Sequence, residues 1–105
     1  MSKGDAIQRF EIDIRALGLP EPLREHQFHR GRRWRFDYCW LASKIAVEID
    51  GGTWVGGRHT SGAGYEADCS KFNQAVIDGW KIFRFTTNMV LDGRAFSTLE
   101  KAKGG

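Results

Sequence analysis

The sequence predicts an α/β domain of the α+β kind, ordered α-β-β-β-α-β-α, with a mixed sheet flanked by helices. Three observations carry this expectation. Ile7, Phe10, Ile14 and Leu17 recur at helical spacing. Two stretches, 33–40 and 44–50, alternate with period two and are joined by a short link, as antiparallel strands require. A helical stretch then separates them from a fourth apolar run, WKIFRFT, which suits a crossover to a parallel neighbour.

The elements follow in order. The first helix spans Asp5 to Leu17, and Gly18 with Pro20 stops it. Leu23 to Arg30 forms a first, weaker strand. Arg33 to Trp40 forms the second, with Trp34, Phe36, Tyr38 and Trp40 on the apolar face and assigned to the core. Lys44 to Asp50 forms the third, with Ile45, Val47 and Ile49 opposite Ala46, Glu48 and Asp50. The segment GGTWVGGRHTSGAG is too glycine-rich for a regular element and is expected to be a mobile loop. Tyr65 to Asp78 is a helix whose inner face is Cys69, Phe72, Ala75, Val76 and Gly79, with Gly79 ending it. Trp80 to Thr86 is the last strand. Thr87 to Lys103 is a final helix, broken near Asp92-Gly93.

Composition narrows the classes. The chain has 105 residues, enough for one domain, here 1–105 with its core near 5–90 and a flexible tail at 101–105. A hydrophobic content of 41% with four Trp excludes wholesale disorder. No apolar run is long enough to span a membrane, and MSKGDAIQRF carries no signal core, so a cytoplasmic protein without a membrane partner is expected. Cys39 and Cys69 are too few for a disulfide framework or a zinc cluster and read as small core residues. The net charge of +3 permits a nucleic-acid partner without demanding one. The segment HRGRRWR is more telling, because it carries four Arg in seven residues. It reads as a solubilising loop or as a phosphate-contacting one.

Folding the second and third strands into a hairpin brings the chemistry together. With the turn centred on Ala42-Ser43, Trp40 faces Ile45, Tyr38 faces Val47 and Phe36 faces Ile49. A one-residue slip would set apolar faces against polar ones. On the other face Asp37 then lies opposite Glu48, and Arg35 opposite Asp50. Directly opposed Cβ atoms are about 4.5–5.5 Å apart. A shared proton, an arginine or a divalent cation must offset that repulsion. A hard cation such as Mg²⁺ takes oxygen ligands from carboxylates and substrate phosphates. Paired carboxylates near arginines suit metal-assisted phosphodiester hydrolysis. The plain alternative is a surface hairpin in which Arg33 and Arg35 pair with Glu48 and Asp50.

The strings RRWRFDYCW, KIAVEIDGG and GWKIFRFT, in this order around a Gly/His-rich loop and a helix, resemble the PD-(D/E)XK nuclease superfamily. The likeness is nearest to the branch of the very-short-patch repair endonuclease and its small phage and mobile-element relatives. It implies a restriction-endonuclease-like core and a Mg²⁺-dependent endodeoxyribonuclease, with Mn²⁺ able to substitute. Asp37 matches the first metal-binding Asp, Glu48 the second acidic residue, and Ile49 a backbone carbonyl ligand. The motif lysine is replaced by Asp50, which reverses the charge there. Lys71 on the following helix is the matching replacement, and His59 matches a downstream base or water ligand. Asp50 would otherwise be a further metal ligand or bind Arg35.

Each remaining residue has two readings. Lys71 either serves the site or pairs with Asp68, three residues earlier on its helix. His59 is a base or an exposed loop residue. Arg30, Arg32, Arg33, Arg35 and Arg58 are the expected phosphate contacts, and Arg84 supports the acidic cluster or contacts phosphate. Glu25 and Trp54 are further candidates, the first as an upstream acid and the second as a loop anchor or base-stacking wedge. The expected partner is DNA, whether duplex, mismatched or branched, and a homodimer fits this size. The competing readings are a catalytically inactive nucleic-acid-binding protein, favoured by Asp50, and a ribonuclease.

Overall fold

The computed structural model describes residues 3–50 and 62–104. In chain order the elements are α1 (Lys3–Ala16), β1 (Leu23–Gln27), β2 (Arg35–Trp40), β3 (Ile45–Asp50), α2 (Gly62–Ile77), β4 (Lys81–Thr86), α3 (Thr87–Leu91) and α4 (Arg94–Gly104). The expected order and sheet type are found. The sheet runs β1-β2-β3-β4. β2 pairs antiparallel with both β1 and β3. β4 starts beside the start of β3, where the Lys81 N–H donates to the Lys44 carbonyl at 2.8 Å, so this pair runs parallel with α2 as its crossover. Among the described residues, no helix is long and apolar enough to cross a membrane.

The chain divides into two compact units. One comprises Met1–Pro22, Ile49–Gly52 and Arg84–Gly105. Its α1 buries Ala6, Phe10, Asp13 and Ile14. Phe10 meets Phe85 with ring centroids 6.4 Å apart. Ala6 takes the deep position expected of Ile7, which is half-buried, because Ala6 precedes Phe10 by four residues as Phe10 precedes Ile14. The buried Asp13 is ion-paired with Arg9 at 2.9 Å, and Arg9 also donates to the Leu91 carbonyl. Thr86 ends β4 and caps α3, its hydroxyl accepting the Met89 N–H at 3.1 Å. The predicted break falls between α3 and α4, where the Asp92 carboxylate accepts the Arg94 N–H. α4 then continues through Gly104, into the segment expected to be a tail.

The other unit comprises Leu23–Glu48 and Thr53–Phe83. Its core is Phe36, Cys39, Ala46, Ala75 and Trp80, with Phe28 and Ile82 packed against them. Cys39 and Ala46, on the face away from Tyr38 and Val47, are fully buried, so this part of the sheet is covered on both sides. Cys39 is thus the small core residue the sequence predicts, and burial pushes its thiol pKa up. α2 buries little. Ala75 is its one buried residue, Cys69 and Phe72 are half-buried, and Val76 is 64% exposed rather than internal. Val76 sits about 100° around the helix from Ala75, outside this narrow stripe. β1 is an exposed edge strand, shorter than the expected Leu23–Arg30 and studded with Arg24, Glu25 and His26.

α1 and α2 end by the same device. After α2, the Trp80 N–H donates to the Ala75 carbonyl and the Gly79 N–H to the Val76 carbonyl, with Gly79 at φ +93°. After α1, Leu19 and Gly18 repeat this pattern onto Ile14 and Arg15. Both are Schellman caps, which need a left-handed residue after the helix. At Gly79 the cap also delivers Trp80 to the core beside Ala75. A Cβ at Gly79 would meet nothing closer than the Lys44 Cε at 3.9 Å, so only the backbone conformation resists substitution. Gly79→Ala is therefore expected to cost about 1–2 kcal/mol in denaturant melts, and Gly79→Asn less. An alanine variant as stable as the parent would contradict this capping assignment.

Candidate active site

The β2–β3 hairpin has the register the sequence predicts. Tyr38 pairs with Val47, Cys39 with Ala46 and Trp40 with Ile45. Lys44, at φ +59°, closes the link by donating its N–H to the Trp40 carbonyl at 2.9 Å. One residue beyond these pairs the same register sets Asp37 against Glu48. There the Glu48 carboxylate accepts the Asp37 backbone N–H at 2.8 Å through Oε2.

The other oxygen, Oε1, accepts from Lys71 Nζ at 2.7 Å. The Lys71 and Glu48 side chains are 14% and 13% exposed, so this is a mostly buried ion pair. Helix and strand geometry explain the meeting. Ala75 packs in the same cluster as Ala46. Going from Ala75 back to Lys71 moves about 6 Å along α2. Going from Ala46 on to Glu48 moves about 6.6 Å along β3 and returns to the same sheet face. The two steps match, so packing of two alanines delivers the amine to the carboxylate. Lys71 is thus held by Glu48, not by Asp68. Its Nζ also lies 5.3 Å from the Phe72 ring centroid.

Glu48 is electrostatically loaded. Burial pushes its pKa above the usual carboxylate range, the Lys71 hydrogen bond pulls it down, and the Asp37 charge pushes it up again. Both acids bring hard oxygen donors, and their mutual repulsion is the kind a divalent cation relieves. The residues present therefore fit a metal in donor type. Among the described residues, no group of three or more His, Cys, Asp or Glu is gathered closely enough to hold one.

The other predicted residues are distributed as follows. Asp50 pairs with Arg84 Nη2, 3.3 Å from each carboxylate oxygen, rather than with Arg35. Parallel pairing of β3 and β4 brings that arginine alongside. Both side chains are about half exposed, so the pair contributes little to stability. Ile49 is a buried β3 residue. Arg30, Arg32, Arg33 and Arg35 are all exposed. Glu25 is an exposed β1 residue at φ +52°. Trp54, Arg58 and His59 lie outside the described residues, so their assignments rest on the sequence.

Sequence reasoning missed two features. Trp34, assigned to the core, precedes β2 and is half-exposed, because alternation was extended past the strand's start. The arginines flanking it on both sides were the available signal. His29, expected at the end of the first strand or in the loop after it, pairs with Asp78 across 3.0 Å, a contact no local pattern announces. Gln74, foremost, and His29 hold the Asp78 carboxyl below its usual range.

The Lys71–Glu48 contact makes a testable statement about pH. Because the folded Glu48 holds its proton more tightly than the unfolded chain, this group disfavours folding as pH rises through its titration. Lys71 moderates that effect, so Lys71→Met should move the Glu48 midpoint further up, as read by carboxyl NMR. The variant should also lose on the order of 3 kcal/mol near neutral pH, since it leaves a buried charge unpaired. An unchanged midpoint would mean that the two groups do not interact in solution.

No protein-family model matches the chain, and no curated protein sequence matches it. Among solved structures it is similar to the catalytic domain of the homing endonuclease I-Bth0305I. The TM-score is 0.69 at 14% identity, and the match covers 91% of this chain and 90% of that one. The chain shares the fold of a homing-endonuclease catalytic domain.

Proposed function

We propose that this chain is a metal-dependent DNA endonuclease of the PD-(D/E)XK type, in the branch of the very-short-patch repair endonuclease. The observation that carries this reading is the Lys71–Glu48–Asp37 arrangement, found in a fold shared with a homing-endonuclease catalytic domain. Asp37 and Glu48 would hold Mg²⁺, or Mn²⁺ in its place, through their carboxylate oxygens. The bound cation would polarise the phosphoryl oxygen and lower the pKa of its water.

The chain's own residues supply the rest. Burial keeps the Glu48 carboxylate from being solvated, which favours an oxygen-seeking cation over water as its partner. Lys71 supplies the positive charge that the motif loses at Asp50. When substrate is bound, its ammonium would orient the attacking water and stabilise negative charge developing on the phosphate. His59 would take the water's proton. The exposed arginines of 30–35, with Arg58, would hold the phosphate backbone, giving affinity and position without sequence reading. Asp50 paired with Arg84 favours the competing reading of an inactive nucleic-acid-binding protein, in which Lys71 would serve only to neutralise Glu48.

A cleavage assay separates the two readings. Duplex, mismatched, four-way-junction and single-stranded DNA, with an RNA control, are incubated with Mg²⁺, Mn²⁺ or EDTA. Metal-dependent cutting is expected, with Asp37→Ala and Glu48→Ala abolishing it while nucleic-acid binding persists. Lys71→Ala should lower the single-turnover rate by about 10²–10³-fold, the size of a lost charge-stabilising donor. Asp50→Ala should have a smaller effect. Binding without cutting under every condition would refute the endonuclease and leave the binding protein. The reverse ranking of Lys71 and Asp50 would refute the assigned lysine.

A further inference from the structure

The connection between β1 and β2 contains more order than a solubilising loop needs. The Arg32 N–H donates to the His29 carbonyl at 3.3 Å, closing a turn around Gly31. The Gln27 side chain donates to the Arg32 carbonyl. Both ends of the Arg32 peptide are thereby held. Its guanidinium lies over the Trp34 ring, 5.0 Å from the centroid. Trp34 stacks with Phe28 at 6.1 Å and 19°, and Phe28 with Phe36 at 4.1 Å and 5°. Phe36 meets Trp80 edge-on at 4.9 Å in the core. A row of rings thus runs outward from the interior to a half-exposed indole, with the His29 ring, paired to Asp78, 5.8 Å from it.

That indole stands among four arginines. Arg30, Arg33 and Arg35 are exposed and have no carboxylate partner among the described residues, and no acidic residue occurs between Glu25 and Asp37. Trp34 is not a member of the core cluster that holds Phe36 and Trp80. A ligand that suits this surface carries dense negative charge and a flat aromatic face. Nucleic acid carries both, but in an intact duplex each base face is covered by its neighbours. An unpaired or displaced base presents its face to an aromatic side chain without the cost of unstacking a base step.

We infer that the β1–β2 connection is a strand-contact site in which Trp34, capped by Arg32, stacks on an unpaired base while the neighbouring arginines hold the adjoining phosphates. Arg32 then either sandwiches the base or swings to a phosphate as the base takes its place on the ring. The inference deepens the nuclease reading and rests on it for the identity of the ligand. It makes the protein selective for nucleic acid that is locally unstacked, without reading its sequence.

The test is fluorescence anisotropy in EDTA, with labelled duplexes identical except for one unpaired base. The wild-type protein should favour the unpaired base by about 10-fold or more, the scale of one base–aromatic stack. Trp34→Leu should bring that ratio close to one, and Trp34→Tyr should retain most of it. Quenching of indole emission by the unpaired-base oligonucleotide, lost in Trp34→Tyr, keeps the test decisive if the leucine variant fails to fold. A wild-type ratio near one, a ratio unchanged in Trp34→Leu, or equal binding of polyglutamate would overturn the inference. Oligonucleotide binding without preference overturns this site alone, whereas no binding to any oligonucleotide overturns the nuclease reading as well.

Discussion

A carboxylate buried beside another carboxylate is the constraint on which this site turns. Glu48 sits on β3 with most of its solvation removed and the Asp37 charge on the neighbouring strand. Left alone it would be protonated or the strand would be pushed outward. It is instead satisfied at both oxygens, by Lys71 and by the Asp37 N–H. One acid of the pair therefore contributes a compensating donor as well as a repelling charge.

The architecture around Glu48 serves that satisfaction. The hairpin register places the acids opposite each other, and α2 crosses over the sheet at a height set by Ala75 on Cys39 and Ala46. A larger side chain at Ala75 would lift the helix and lengthen the Lys71–Glu48 contact. The Gly79 cap then turns the chain so that Trp80 enters the same core and β4 starts beside β3. An ordinary packing problem, small residues where helix meets sheet, thereby fixes an electrostatic one. The amine arrives from a helix, while two residues along the strand Asp50 faces an arginine of β4 instead.

Much of this was legible from the residues. Alternation in 33–50 was strong enough to give both the hairpin and its register, because a slip would have buried charges. The helix ends were marked by Gly18 and Gly79, whose left-handed conformations the caps require. Lys71 was legible only as a choice between Asp68 and the acidic pair, since sequence spacing shows the local partner and not the one across the sheet. Val76 and Trp34 went the other way. Each is apolar and in phase with its pattern, but α2 buries a narrow stripe and β2 starts at Arg35. Periodicity reports which face a side chain occupies and not how far cover extends over that face. His29 with Asp78 was illegible, for it depends on how the β1–β2 connection lies against the end of α2.

We propose that the Glu48–Asp37 pair is a cation site whose charge Lys71 balances. The most direct measurement is Mn²⁺ binding followed by electron paramagnetic resonance, in the wild-type protein and in Asp37→Asn, Glu48→Gln and Lys71→Met. The account requires binding by the wild type, at least about 10-fold weaker binding in both acid variants, and tighter binding in Lys71→Met, where one competitor for Glu48 is removed. Wild-type binding that survives both acid substitutions unchanged would place the cation elsewhere and contradict the account.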